Sequence, residues 1–235
     1  MRIAIMQPYF LPYMGYWQLL ASVDKFVILD DVNFINRGWI NRNRIWLGGQ
    51  PAWLTIPLSG ASQNKMIRQI DILSDDGWHA RMEKSVFHAY ASAPRFAEIY
   101  ELFKEMLGVA EGNLSGFLHR TIVDVCGILG IKTEIISSSS IFPKGELKGQ
   151  DRILDICKRI GATAYVNPPG GRELYEQARF EAEGISLYFL QPGPTGDMLQ
   201  NSSPQGDILS ILDTLMQNDQ PSVSKATGQF SLLKS

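Results

Sequence analysis

The first thirty residues constrain the fold most. Arg2 to Met6 (RIAIM) is a short apolar run with the pattern of a buried strand. Gly15 to Val23 repeats apolar residues at helical spacing, with Tyr16, Leu19, Leu20 and Val23 on one face. Lys25 to Leu29 (KFVIL) is a second apolar strand, and it stops at Asp30-Asp31. Strand, helix and strand within about thirty residues is the size of a right-handed parallel crossover.

The alternation resumes near the other end of the chain. Lys132 to Ile136, Ala162 to Val166 and Ile185 to Leu190 read as strands. Gln150 to Ile160, Arg172 to Ala182 and Asp207 to Met216 read as helices. Between the two α/β stretches the period changes. Arg44 to Leu47 and Trp53 to Ile56 flank Gly48-Gly49 as a hairpin, which Arg68 to Leu73 is expected to join as a third strand. Asp76 to Tyr90, Pro94 to Leu107 and Leu114 to Leu129 are helical, and Pro94 suits a first helical turn. The expectation is an α/β fold with an open parallel Rossmann-like sheet over residues 1–216, carrying a hairpin and helical insertion at 44–130. Residues 217–235 are polar and are expected to form a loose tail.

The composition excludes several classes. Hydrophobic residues make up 45% and charged residues 20%, and the formal net charge is -2, which argues against broad attraction to nucleic acid. Cys126 and Cys157 lie in apolar helical stretches and read as buried reduced thiols, not as a metal site. His79, His88 and His119 lack metal-ligand spacing. Pro8 and Pro12 interrupt any signal pattern, and no apolar run reaches transmembrane length. A cytoplasmic protein with no membrane insertion is expected.

Three loops at strand ends carry the candidate chemistry, because ligands of doubly wound sheets sit beyond the carboxyl ends of the strands. The first is Gln7 to Gly15, where Gln7, Tyr9, Tyr13 and Tyr16 offer hydrogen bonds and flat faces, and Gly15 admits a close backbone approach at a helix start. The second runs from Asp30-Asp31 through Asn36 to Arg44. Arg37, Arg42 and Arg44 suit a phosphate or carboxylate, and Asn41 reads a donor and an acceptor together. Asp30 or Asp31 is a general-base candidate, an Mg²⁺ ligand, or plain turn chemistry that pairs with Arg37. The third is Tyr165 to Arg172, where Gly170-Gly171 precedes a helix, with Lys148 at the start of the preceding helix as an anion contact. The first two loops are expected to wall one cleft. Structural readings stand beside these: tyrosines in the core, arginines in a solvated loop, and a glycine pair serving a tight turn.

The segment Tyr13-Met14-Gly15-Tyr16, set between a strand and a helix, resembles the His-x-Gly-His motif of the nucleotidyltransferase superfamily, with tyrosine at both histidine positions. Neutral tyrosine does not bring a positive charge to a phosphate as histidine does. Ile136 to Phe142 (ISSSSIF) echoes that superfamily's Ser-Ser-Thr stretch without its arginine. A fuller likeness runs along the chain. MQPYFLPYMGYWQL, DKFVILDDVNFINRGWINRNRI, HAYASAPRF, KGQDRILDICKRIGATAYVNPPGGRELY and SILDTL, in that order, resemble the WbqC-like protein family. The resemblance implies a role in making or modifying sugars for bacterial surface polysaccharides (O-antigen).

Three functions follow as expectations. The first is a group-transfer enzyme acting on a nucleotide-linked amino sugar, with Asp30, Asp31 and Tyr16 as catalytic candidates. The second is a nucleotidyl- or adenylate-forming enzyme with tyrosines in the histidine places. The third is a non-catalytic ligand-binding or assembly protein. No cofactor is fixed by the residues beyond the possible Mg²⁺.

Overall fold

The computed structural model describes residues 1–74, 77–110, 112–193 and 199–235. In chain order, β1 (Arg2–Met6) leads through α1 (Met14–Ala21) to β2 (Lys25–Ile28). The inserted hairpin is β3 (Arg42–Leu47) with β4 (Gln50–Thr55), followed by the short β5 (Leu58–Ser59) and β6 (Asp71–Ile72). Helices α2 (Trp78–Tyr90), α3 (Phe96–Gly108) and α4 (Leu114–Leu129) come next. The α/β rhythm then returns with β7 (Glu134–Ile136), α5 (Gly149–Ile160), β8 (Ala164–Asn167), α6 (Gln177–Ala182) and β9 (Ser186–Pro192). The chain closes with α7 (Ile211–Gln217), α8 (Gln220–Thr227) and β10 (Phe230–Lys234).

The main sheet has six strands in the order β10-β9-β8-β1-β2-β7, all parallel except β10. Its five parallel strands therefore follow the 3-2-1-4-5 order of a Rossmann-like half, with the reversal between β1 and β8. Side-chain alternation sorts two cores. Ala4, Phe26, Ile28 and Val166 face α1, the inserted helices and α7–α8. Ile3, Ile5, Val27, Tyr165 and Phe189 face α5 and α6. Both faces are covered, as parallel strands require. Helix ends obey local chemistry. Asn113 accepts the Gly116 N–H at the start of α4, and Gly130 closes that helix in the left-handed region at φ 71°.

Three expectations are corrected. The segment 217–235 is not loose, because α8 buries Val223 and Ala226 and β10 pairs antiparallel with β9. Its anchor is the buried Gln18 amide, which donates to the Ala226 and Gln229 carbonyls. Arg68 to Leu73 does not join the hairpin; it holds one 3₁₀ turn, and Asp71–Ile72 pairs with Leu58–Ser59 instead. The helix expected from Arg172 begins at Gln177, since Pro169–Leu174 winds as 3₁₀. The helix expected from Asp76 is described from Trp78, and Asp76 lies outside the described residues.

Candidate functional site

β2 and β7 run side by side with Val27 opposite Ile136, so Asp30 emerges beside Ser139 three residues further on. The result is a buried polar knot. One Asp30 carboxylate oxygen accepts from Ser115 at 2.9 Å, and the other accepts from Ser138 at 2.7 Å and lies 3.3 Å from the Ser139 hydroxyl, whose one proton goes to Asp31. The Asp31 carboxylate accepts from Ser139 at 2.7 Å and from the Arg152 guanidinium at 2.8 Å. The same Arg152 nitrogen also donates to the Ser139 and Phe142 carbonyls. Asp30, Asp31 and Arg152 are each no more than 3% exposed. A charge so buried is tolerated only when paired and hydrogen-bonded, and here both carboxylates are fully partnered. The alternative pairing of Arg37 with these aspartates does not form: Arg37 is exposed on its loop, and Arg152 takes the place.

The knot bears on the Mg²⁺ expectation. A guanidinium already sits against Asp31, and serine hydroxyls occupy both Asp30 oxygens, so these residues do not fit a divalent cation. Nor does either aspartate offer a free oxygen for general-base work.

Above the knot lies a cleft of about 460 Å³. Its walls come from the exits of β2 (Leu29, Val32, Asn33) and β7 (Lys144, Lys148) on one side of β1, and of β8 (Leu174, Tyr175) on the other. It therefore straddles the reversal point of the sheet at the carboxyl edge. The amino end of α5 opens into it through Gly149, at φ 51°, and Gln150. Lys144 and Lys148 have no carboxylate partner among the described residues; the Lys144 ammonium donates to the Asp31 carbonyl. Arg152 lines the floor, and its Nε is buried with no hydrogen-bond partner. Asp151 in the first turn of α5 is committed to Arg179. Two lysines, an arginine and the amino end of α5 face the cleft, an arrangement able to hold an anion, while Leu29, Ile153 and Tyr175 supply apolar wall. A hollow of about 590 Å³ at Val23, Asp24, Lys132 and Thr133 lies at the amino edge of the sheet, where ligands of such folds do not bind.

Of the expected binding residues, Lys148 lines this cleft directly. Tyr165 stands behind it, wholly buried, with its hydroxyl against Asn167 and Tyr175, and burial raises its pKa well above the ordinary phenol value. Gly171 is where it is because a Cβ there would meet the Asn167 side chain at 1.9 Å; Gly170 has open space around it.

The tyrosine loop goes elsewhere. Tyr16 is 3% exposed, packs among Trp17 and Phe26, and donates its hydroxyl to the Gln7 carbonyl at 3.1 Å. It is a core residue, so its catalytic assignment falls. Tyr9 packs on Tyr16, and burial pushes its pKa up to about 12. Tyr13 caps α1 by its backbone alone and lays its ring across Gly15, where a Cβ would sit 2.7 Å from it. Tyr13 and Gly15 line a separate hollow of about 360 Å³ with Gln18 and Thr214, which shares no lining residue with the Lys148 cleft.

The arginine–asparagine stretch is tied to the opening loop by the backbone. Phe10 donates to the Trp39 carbonyl, and the buried Asn43 amide donates to the Phe10 and Leu11 carbonyls. Yet Arg42 and Tyr16 line neither cavity, so neither of these two is the single cleft expected between them. Asn41 donates to the Ile56 carbonyl and Arg44 to that of Ile208; Arg42 bonds to the Gly38 and Arg37 carbonyls. Sequence reasoning missed Lys144 and the serines of the knot. The signal was present in Ser137 to Ser140, which follows the strand next to the one ending in Asp30-Asp31.

The sequence profile described as the WbqC-like protein family matches residues 7–225. A protein of Mycobacterium tuberculosis (strain ATCC 25618 / H37Rv), described as uncharacterized protein Rv1507c, is similar at 30% identity over 216 residues, covering 91% of this chain and 92% of that one. No solved structure matches the chain significantly.

Proposed function

The chain belongs to the WbqC-like protein family, and from that premise we propose that it is a cytoplasmic group-transfer enzyme of bacterial surface-polysaccharide (O-antigen) synthesis. Its substrate is a nucleotide-linked amino sugar whose diphosphate lies in the Lys144–Lys148 cleft. The observation that carries this reading is the cationic cleft at the reversal point of a Rossmann-like sheet, with Arg152 Nε unpartnered at its floor. Lys148 and the α5 N–H groups bind one phosphate, Lys144 the other, and the Tyr175 and Leu174 side holds the apolar part. No helix among the described residues is long and apolar enough to cross a membrane.

The experiment is calorimetry with a panel of nucleotide-linked amino sugars, followed by mass spectrometry for turnover. Lys148→Ala should weaken binding by about 10–100-fold, the range of one charge-assisted hydrogen bond. Absence of binding across the panel, or parent-like binding by the variant, sinks the reading. A second reading, binding without catalysis, draws support from one observation: both candidate carboxylates are fully occupied by serines and Arg152. Tight binding with no conversion of any panel member would favour it.

A further inference from the structure

The outer face of the inserted hairpin is unlike the rest of the surface. Arg44 and Trp53 are paired directly across β3 and β4, with Arg42 beside them. The Arg42 guanidinium lies 4.0 Å over the Trp53 ring, Arg44 approaches Trp39 at 5.5 Å, and the two indoles are 5.4 Å apart. Trp53 remains 46% exposed. Arg37, Arg42 and Arg44 form no ion pair among the described residues, and the guanidinium bonds of Arg42 and Arg44 end on main-chain carbonyls. The Arg44 Nε is buried without a hydrogen-bond partner. Two guanidiniums and two indoles thus stand together with no ion-pair partner among the described residues.

Trp53 also forms one wall of a hollow of about 230 Å³ between β4 and α2. Thr55, Ser85, Arg81 and Trp78 complete its polar lining. Trp78 is 4% exposed, and its indole N–H has no acceptor among the described residues. A buried N–H left without a partner is unfavourable, and an entering hydroxyl would satisfy it. The hollow is smaller than the usual drug-sized site, with room for no more than about one ring.

We infer that this hollow and its arginine rim form a carbohydrate subsite that takes one pyranose ring of an acidic glycan. The flat C–H face of the ring meets the Trp53 indole on the face away from Arg42, a ring hydroxyl accepts from Trp78 Nε1, and a carboxylate of the same or the next sugar meets Arg42 and Arg44. A nucleic-acid strand fits less well. Such a strand needs cations along several successive phosphates, whereas here Arg42 and Arg44 form one patch on a chain of net charge -2. The inference rests on the glycan-synthesis reading for its class of molecule, but it concerns a place distinct from the Lys148 cleft.

The test is a tryptophan-fluorescence titration with a galacturonic acid trimer, maltotriose and an eight-residue oligothymidylate. The expected result is saturable binding of the galacturonate trimer, at least tenfold tighter than maltotriose and tighter than oligothymidylate. Trp53→Ala should weaken it at least tenfold and Trp78→Phe, which keeps the packing but removes the N–H, about fivefold. Lys148→Ala should leave it unchanged, so failure here and failure of the nucleotide-sugar reading are told apart. No saturable change, equal binding of maltotriose, tighter binding of oligothymidylate, or parent-like binding by both tryptophan variants overturns the inference.

Discussion

Arg152→Met tests the polar knot that holds the cleft floor. Methionine keeps the length and apolar stem of the side chain but removes the guanidinium. The Asp31 carboxylate, 3% exposed, then loses its 2.8 Å partner, and the Ser139 and Phe142 carbonyls lose a donor. Leaving one member of a buried pair alone costs about 3–5 kcal/mol, and the two carbonyls, which share that nitrogen's two protons with Asp31, add about 0.5 kcal/mol each, for about 4–6 kcal/mol. For a chain of this length that is a fall of roughly 8–24 °C in the unfolding midpoint. The assay is denaturant unfolding of the parent, Arg152→Met, Asp31→Asn and the double variant. If the pair is what ties the β2 exit to α5, the double variant will be less destabilised than the sum of the singles by about 2 kcal/mol or more. A cost under about 1 kcal/mol for Arg152→Met, or full additivity, would refute the argument that these charges hold one another in the core.

Tyr16→Phe removes only the hydroxyl that donates to the Gln7 carbonyl, so the folded state should be destabilised by about 1 kcal/mol with nucleotide-sugar affinity unchanged; a large loss of turnover at parent-like stability would return Tyr16 to the chemistry. Burial pushes the Cys126 and Cys157 thiols up to about 12. The folded state therefore keeps protons that the unfolded chain gives up near pH 9, and stability is complete below that pH and falls as pH rises from 9 towards 12. The slope is roughly 1.4 kcal/mol per pH unit for each thiol, read by unfolding at pH 8, 9.5 and 10.5; a flat profile would contradict it. Deleting 218–235 strips β10 from β9 and leaves the Gln18 amide without its two acceptors. That loss alone costs about 1–3 kcal/mol, and size-exclusion chromatography should show aggregation through the bared β9 edge.

The strands of the main sheet are legible because each is a short apolar run bounded by a helix pattern or a turn. The terminal strand is not, because its side chains at Phe230, Leu232 and Leu233 remain partly exposed on an edge and α8 docks through small residues such as Ala226. The aspartates show where local reading stops. Asp30-Asp31 at a strand end is an acidic pair to any sequence rule, and its chemistry depends on partners 85 to 121 residues away. Register supplies the missing step: once two parallel strands are aligned, the residues three beyond Val27 and Ile136 must meet, and an acid then meets a serine run. The same reasoning separates Lys148 from Tyr16. Both follow strand ends, but α1 packs on one face of the sheet and α5 on the other, so an aromatic that leads into α1 is drawn into the core while a lysine at the open end of α5 stays at the cleft. Face, not strand edge alone, decides which end-of-strand residue can reach a ligand.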